Sequence, residues 1–251
     1  MPRSKVMPLD EAMARLKPGS RLMTGEFVGA AEAAKCLEWI LEHKVGDLTL
    51  ITVTPGMTGG FGKGHLFAAG LIRELISSHV ATTNESSDAY LSGQMLVKQL
   101  FPMGTWAEKV RAGAMGLGGV LIPVGIGILD EPGLFPNLDE PKQKITLNGK
   151  EYFVEEALRA DVALVKGWRA DPLGNVEFRY TSQQNQRDVA MAADFAIVEV
   201  NEIVPVGTIP PDRVGIPGPF VDAVVQGYSL EEQNANYRNH WIKLGRLAPV
   251  A

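Results

Sequence analysis

Short blocks of leucine, isoleucine and valine alternate along this chain with stretches whose apolar residues recur near the helical period. Leu48-Thr49-Leu50-Ile51-Thr52-Val53 is a run of the kind buried in a parallel sheet, Leu96 to Leu100 and Val162 to Gly167 read as further strands, and Phe195 to Val200 as a strand with a β-branched core. Arg21 to Phe27 reads as a strand entering a turn at Gly25 and Gly29, Ile76 to Ala81 as another strand, and Phe178-Arg179 as the extension of one. Helical spacing marks Asp10 to Leu16, Ala30 to His43, Leu66 to Leu75, Trp106 to Ala112, Val154 to Leu158 and Gln186 to Ala193. Ser87 to Gly93 reads as a connecting segment, and Pro102-Met103-Gly104-Thr105 as a tight turn. The proline-rich stretch Pro132 to Asn148 reads as an excursion with a hairpin near Asn148-Gly149. Strands alternating with helices predict an α/β protein with a mostly parallel sheet and flanking helices. In such sheets ligands sit at the carboxyl ends of the strands, where glycine lets backbone approach them.

Composition sharpens this picture at one point. The 251 residues include 27 glycines, against the roughly 18 that average usage would give. They follow no collagen-like period, and many fall at the predicted strand ends. The formal net charge of −5 excludes a general nucleic-acid binder, which needs a basic surface. A single cysteine makes no internal disulfide and suits a reducing compartment, here read as the cytoplasm. The start is basic but meets Asp10 and Glu11 before an apolar core, so no targeting segment is read there. Ala112 to Leu129 is uncharged and just long enough for the shortest membrane span. Its six glycines and Pro123 suit a buried strand through Leu121, Ile122, Val124, Ile126 and Ile128 far better.

No standard catalytic set emerges from the residues themselves. Gly62-Lys63 invites a phosphate-loop reading, but Met57 stands where that motif needs glycine and Gly64 where it needs serine or threonine. A flexible glycine loop bordering a ligand remains. His43, His65, His79 and His240 are far apart and lack metal-ligand spacing; His79, on a predicted strand, reads as structural and His43 as favouring its helix C-terminus. Cys36 reads as a small buried hydrophobe. No Gly-x-Ser-x-Gly elbow is present. Glu199 and Glu202 bracket a strand end, and Glu155-Glu156 read as opening a helix. From Tyr228 onwards the composition changes, and Tyr237, Trp241 and Leu244 form the apolar stripe of a docking helix. That divides the chain into a main domain, 1–227, and a C-terminal tail, 228–251.

Several segments, in order, carry a more specific signal. They are Tyr90-Leu91-Ser92-Gly93, Gly104-Thr105-Trp106-Ala107-Glu108-Lys109-Val110-Arg111-Ala112-Gly113, Ala160 to Asp171 with Gly174-Asn175-Val176 and Phe178-Arg179, and Val198 to Val204. Together they make residues 9 to 225 resemble the α subunit of a family I coenzyme A transferase, of the acetoacetate and 3-oxoacid type. The resemblance implies the NagB/RpiA-like fold of that family and a ping-pong exchange of one thioester for another, in which a glutamate forms covalent acyl and CoA adducts. It also implies that this glutamate lies in a β subunit, within a Ser-Glu-Asn-Gly type motif that this chain lacks; Thr83-Asn84-Glu85-Ser86 has the wrong order and place. The expected partners are therefore a β subunit, in an α₂β₂ or larger assembly, and acyl-CoA and carboxylic acid substrates. No nucleic acid, membrane, metal or permanently bound cofactor is expected, and coenzyme A enters as a thioester substrate.

The family pattern implies a substrate-facing wall of Gly25, Glu26, Phe27, Thr52, Val53, Thr54, Gly56, Met103 and Gly104. This chain departs from it there. The Gly-Gly-Phe signature reads Gly25-Glu26-Phe27, an asparagine-containing turn reads Thr52-Val53-Thr54-Pro55-Gly56, and the Pro-Gln-Gly-Thr turn reads Pro102-Met103-Gly104-Thr105. Methionine cannot supply the glutamine's hydrogen bond, and loss of one oxyanion donor costs about 10²–10³ in rate. Either another group, such as Thr52 or Thr54, replaces it, or the reaction has changed. Glu26 reads as a solvated turn residue or as a group facing the site. Three classes follow: one half of a transferase that acts on a short-chain or 3-oxo acid, one half of a CoA-thioester or carbon–carbon hydrolase on the same scaffold, and an effector-binding module on a sugar-phosphate-isomerase-like fold.

Overall fold

The apolar runs become strands because each can bury both of its faces, and helices cover the sheet on both sides. A computed structural model describes residues 3–131 and 142–249. The elements in order are α1 (Leu9–Met13), β1 (Arg21–Thr24), α2 (Ala34–Glu42), β2 (Leu48–Thr52), α3 (Lys63–Ala68), β3 (Ile72–Ser77), α4 (Asn84–Leu91), β4 (Leu96–Leu100) and α5 (Met103–Ala114). There follow β5 (Gly119–Ile122), β6 (Lys144–Leu147), β7 (Lys150–Glu156), β8 (Ala160–Ala170), β9 (Val176–Glu177), α6 (Gln186–Met191), β10 (Ala193–Ile203), β11 (Ala223–Gln226) and α7 (Leu230–Lys243).

The main sheet runs β11-β10-β8-β1-β2-β3-β4 with parallel neighbours throughout, and β9 adds antiparallel to the end of β8. Alternate residues along each strand feed two cores. Leu22, Leu50, Leu75, Leu164 and Ile197 pack with α1 to α4 on one face, while Met23, Ile51, Ile76, Val165 and Val198 pack with α5 and α6 on the other. The chain lays β1 to β4 outward in one direction, then returns to build β8, β10 and β11 on the other side of β1. The reversal falls between β1 and β8, and a parallel sheet opens a ligand crevice beyond the carboxyl ends of such strands.

Several expectations are corrected. The helix read over Leu66 to Leu75 is α3, which closes at Gly70 through bonds from Gly70 N–H to Phe67 and Leu71 N–H to Leu66. The strand read at Ile76 to Ala81 accordingly starts earlier, as β3, and His79 lies beyond it. Ser87 to Gly93 is no connector but most of α4, whose N-cap Thr83 accepts the Ser86 N–H at 2.9 Å. Pro102 to Thr105 is no turn: Pro102 caps α5, and Met103 and Gly104 are its first residues. Val154 to Leu158 is not a helix, because Val154 to Glu156 belong to β7, where Glu155 reaches Lys109 at 2.6 Å and also Lys142. The glycine-rich run is not a buried strand either. Only Gly119–Ile122 is strand, in a separate antiparallel sheet ordered β5-β7-β6, and Leu121, Val124 and Ile128 are exposed. Glu199 and Glu202 lie inside the long β10.

Other readings match the structure. The β6–β7 hairpin turns at Asn148-Gly149, both residues having left-handed backbone, and β4 spans the residues read for it. The excursion read from Pro132 falls outside the described residues up to Pro141.

One helix glycine is fixed by packing. A Cβ on Gly113 would lie 2.0 Å from the Leu158 carbonyl oxygen. Alanine in a helix interior is favoured over glycine by about 1 kcal/mol, but displacing backbone from a packed contact costs about 1–3 kcal/mol. Gly113→Ala is therefore expected to destabilise the protein, measured by denaturant unfolding; unchanged or increased stability would show that the α5–Leu158 approach can relax.

Candidate functional site

β1 and β2 end side by side with Thr24 opposite Thr52, and their hydroxyls are 3.0 Å apart. Into this corner α3 sends Lys63, which is fully buried. Its ammonium lies 2.6 Å from Glu26 Oε1 and donates to Thr52 Oγ1 at 2.9 Å and Thr24 Oγ1 at 3.3 Å. Glu26 is fully buried too, so the solvated-turn reading does not hold. Its carboxylate accepts the Thr52 and Thr54 hydroxyls, each at 3.1 Å, and the Gly29 N–H at 2.7 Å. Its own N–H and C=O are held by the Asn185 side-chain amide. Breaking a buried ion pair from one side costs about 3–5 kcal/mol, because the partner charge is left uncompensated.

The loop between β1 and α2 is shaped by these contacts. Val28 and Ala31 both have left-handed backbone, and Val28 N–H is held by Thr54 Oγ1 at 2.9 Å. Gly25 bonds across to β8 through Leu164 O, and a Cβ there would fall 2.1 Å from Gln186 Oε1. Glycine is required because the Gln186 amide joins the loop to β8, donating to Ala31 O and accepting from Lys166 N–H.

A second carboxylate completes the corner. Glu32 Oε1 is 3.6 Å from Lys63 Nζ, and neither Glu32 oxygen has a hydrogen-bond partner although the side chain is almost fully enclosed. Gly62 and Gly56 leave room for it; a Cβ on Gly56 would come within 3.1 Å of Glu32 Oε1. Burial pushes the Glu32 carboxyl up to about 7, the Lys63 charge partly offsetting this and the Glu26 charge adding to it.

Glu32 borders a cavity of about 370 Å³ between α2, the segment before α3, and α7. Leu37 and Phe61 give it apolar wall, with His65, Tyr237 and Glu199 as polar wall. Glu199, on β10, is fully buried; it accepts from Cys36 N–H at 3.1 Å and meets Lys166 Nζ at 3.3 Å. Burial lowers Lys166, with Glu199 opposing, and raises the Cys36 thiol, with Glu199 reinforcing. The helix α7 begins with a Ser229–Glu232 capping box and lies over this cavity. Its Tyr237 hydroxyl donates to Gly29 O, and His240 Nε2 meets Thr58 O at 2.9 Å.

Of the residues expected to form a substrate wall, Gly25, Glu26, Thr52, Thr54 and Gly56 converge around Lys63. Phe27 is 42% exposed on the tight turn it makes with Ala30. Val53 packs in the core beside Ile51 and Phe101, while its carbonyl receives the Ser77 and Ser78 hydroxyls. Met103, 41% exposed, and Gly104 occupy the same rim at the end of β4, three strand spacings or roughly 14 Å from β1. There the first N–H groups of α5 are free of helical partners. Sequence reasoning missed Glu32, hidden within an apparently continuous helix, and set Lys63 aside once the phosphate-loop motif failed. Glu26 in place of the second signature glycine was the available clue, since a buried acid demands a partner. Among the described residues no His, Cys, Asp and Glu cluster could hold a metal ion, and no helix is long and apolar enough to cross a membrane.

Comparison with known proteins identifies the family to which this chain belongs. Residues 6–227 match the family described as coenzyme A transferase. The chain is 36% identical to the alpha subunit of the acetate CoA-transferase of Escherichia coli, over 89% of this chain and 97% of that one. It is 37% identical to one subunit of the succinyl-CoA:3-ketoacid coenzyme A transferase of Xanthomonas campestris, over 86% and 85%. It spans about half of single-chain relatives such as the human mitochondrial succinyl-CoA:3-ketoacid coenzyme A transferase 2, covering 45% of that protein. In fold it resembles glutaconate coenzyme A-transferase of Acidaminococcus fermentans, with a TM-score of 0.77 at 24% identity, covering 90% of this chain and 76% of that one. A match along most of the chain, shared with separate subunits of similar length, means that this protein belongs to the coenzyme A transferase family.

Proposed function

We propose that this chain is the α subunit of a heteromeric CoA-transferase that moves CoA between an acyl-CoA and a carboxylic acid, with the nucleophilic glutamate supplied by a β subunit. The observation carrying this reading is the state of the rim carboxylates in a chain of this family. Glu26 is saturated by Lys63, two threonine hydroxyls and a backbone N–H, and Glu32 is enclosed beside the same lysine. Neither is presented as a free nucleophile, so the wall is here and the attacking group comes from the partner.

The chemistry balances without ATP. The partner carboxylate attacks the thioester carbonyl, the C–S bond breaks, and CoA leaves as thiolate. The thiolate attacks the glutamyl carbonyl of the resulting anhydride, releasing the first acid and leaving a glutamyl-CoA thioester. An incoming carboxylate reverses both steps. CoA is thus a substrate, and no permanently bound cofactor enters the scheme. Gly25, Glu26, Phe27, Thr52, Val53, Thr54, Gly56, Met103 and Gly104 are assigned to the substrate wall, Val53 through its backbone. Thr52 and Thr54 spend their hydroxyls on Glu26, which leaves the free N–H groups of the α5 N-terminus as the donors for a developing oxyanion. An exposed methionine there favours a short-chain or 3-oxo acid with an apolar end. The unpaired, buried Cys36 suits the reducing cytoplasm, and the assembly is taken as α₂β₂ or larger.

Two outcomes test this reading. The chain co-expressed with its β subunit is expected to exchange CoA between acyl-CoA and members of a carboxylic acid panel, and the isolated chain to exchange none; no exchange with any acid would sink the assignment. In the complex, Met103→Gln restores an amide donor at α5 and is expected to raise kcat/KM by about tenfold or more, whereas Met103→Leu changes it little. Equal effects of both substitutions would place the thioester away from α5.

A further inference from the structure

Tyr180 has no task in the transferase reading. It stands three residues after β9 with left-handed backbone, a strained conformation for an aromatic residue, and its surface is 84% exposed. Ser182 locks the turn: its hydroxyl accepts from Arg179 N–H at 3.1 Å and donates to Arg179 O at 2.6 Å. The Arg179 guanidinium donates to the Tyr180 hydroxyl at 3.2 Å and lies over the Tyr180 and Trp168 rings, 4.9 and 5.1 Å from their centroids. Among the described residues it forms no ion pair, unlike Arg169, which holds Glu177 at 2.6 Å. Trp168, Arg179 and Tyr180 line a second cavity, of about 330 Å³, at the carboxyl end of β8 between the β1–α2 loop and the start of α7. Lys166 and Thr181 line it too, and none of its lining residues is acidic. Among the described residues Glu199 Oε1, at 3.3 Å, is the one acceptor of the Lys166 ammonium, which has three donors.

We propose that this cavity is a nucleotide-phosphate site, in which Arg179 takes the phosphate with help from Lys166 and Thr181, and the base stacks on the open Tyr180 ring. A guanidinium matches two phosphate oxygens at once, and its stack on Trp168 holds it ready to do so. A wall with two cations and no acid favours an anion over any other small ligand. An aromatic face open to solvent accepts a base without needing specific hydrogen bonds. The cavity volume lies within the range of small-molecule sites. The strain at Tyr180 is then explained, because it turns the ring outward beside the guanidinium. Two sources share this chemistry, the nucleotide end of CoA and a free adenine nucleotide. The first is compatible with a thioester at α5: β8 lies four strand positions from β4, roughly 19 Å. CoA carries its nucleotide at the far end of a flexible pantetheine arm, so the two ends need sites that are well apart. The CoA source rests on the transferase reading; the site itself does not.

The test titrates the complex of this chain with its β subunit by calorimetry, using adenosine bisphosphate (the nucleotide end of CoA) and, separately, inorganic phosphate. The nucleotide is expected to bind about tenfold more tightly than phosphate, through stacking. Arg179→Gln is expected to weaken nucleotide binding by about tenfold or more. Tyr180→Ala should weaken it by about fivefold or more, and Tyr180→Phe, which keeps the ring, should leave it near wild type. Tyr180→Gly relaxes the backbone, so it is expected to lose affinity while its thermal midpoint holds or rises. Inhibition of transfer that competes with acyl-CoA would assign the site to CoA; binding without competition would assign it to a free nucleotide. No nucleotide binding, equal binding by wild type and all the variants, or a loss that follows dissociation of the β subunit in sedimentation would each overturn the proposal. Nucleotide binding by a complex that transfers no CoA would instead sink the transferase reading and leave this site standing.

Discussion

The ion pair between Glu26 and Lys63 is the interaction on which the arrangement of the rim depends. Two charges buried at the ends of β1 and β2 are tolerable only if every remaining valence is met, and the surroundings are organised to meet them. Thr24, Thr52 and Thr54 supply hydroxyls, Gly29 supplies an N–H, and the Asn185 amide holds the Glu26 backbone. Those bonds hold the loop between β1 and α2 in a path with Val28 and Ala31 in left-handed conformation, each costing about 1–3 kcal/mol. The glycines of the rim follow from the same crowding: Gly25 leaves space for the Gln186 amide, and Gly62 for the Glu32 carboxylate.

Around that fixed corner the rim divides into two parts. At the end of β4, α5 offers backbone donors and an exposed methionine. Beneath α7, Glu32, Lys63, Glu199 and Lys166 form an enclosed, charge-rich region in which burial raises the proton affinity of Glu32 and lowers that of Lys166. α7 lies over the second part, with Tyr237 and His240 bonded to the carbonyls of Gly29 and Thr58. Both parts carry residues that differ from the pattern the chain resembles, Met103 at the first and Glu26 at the second, and only Glu26 brings a buried lysine with it.

Much of the fold was legible along the chain because a strand buried on both faces needs a largely apolar, β-branched run, which β2 and the cores of β8 and β10 have. The misreadings share a cause. Leu66, Leu71 and Leu75 keep a helical rhythm across the Gly70 stop, yet Leu66 packs from a helix and Leu75 from a strand into the same core. Val154 to Glu156 resemble a helix start, but pairing with β5 makes them strand. Local pattern cannot report which neighbour will satisfy the backbone.

The candidate site divides the same way. By itself the sequence determined the parallel α/β class, the glycine-marked strand ends, the family and the absence of its Ser-Glu-Asn-Gly motif, because these depend on residue type and order. Only the tertiary structure decided that Glu26 is buried, that Lys63 is its counter-ion from 37 positions away, and that Glu32 sits unpartnered beside both. Charge pairing and desolvation depend on distance and burial in space, and a sequence fixes neither until β1, β2 and α3 have packed.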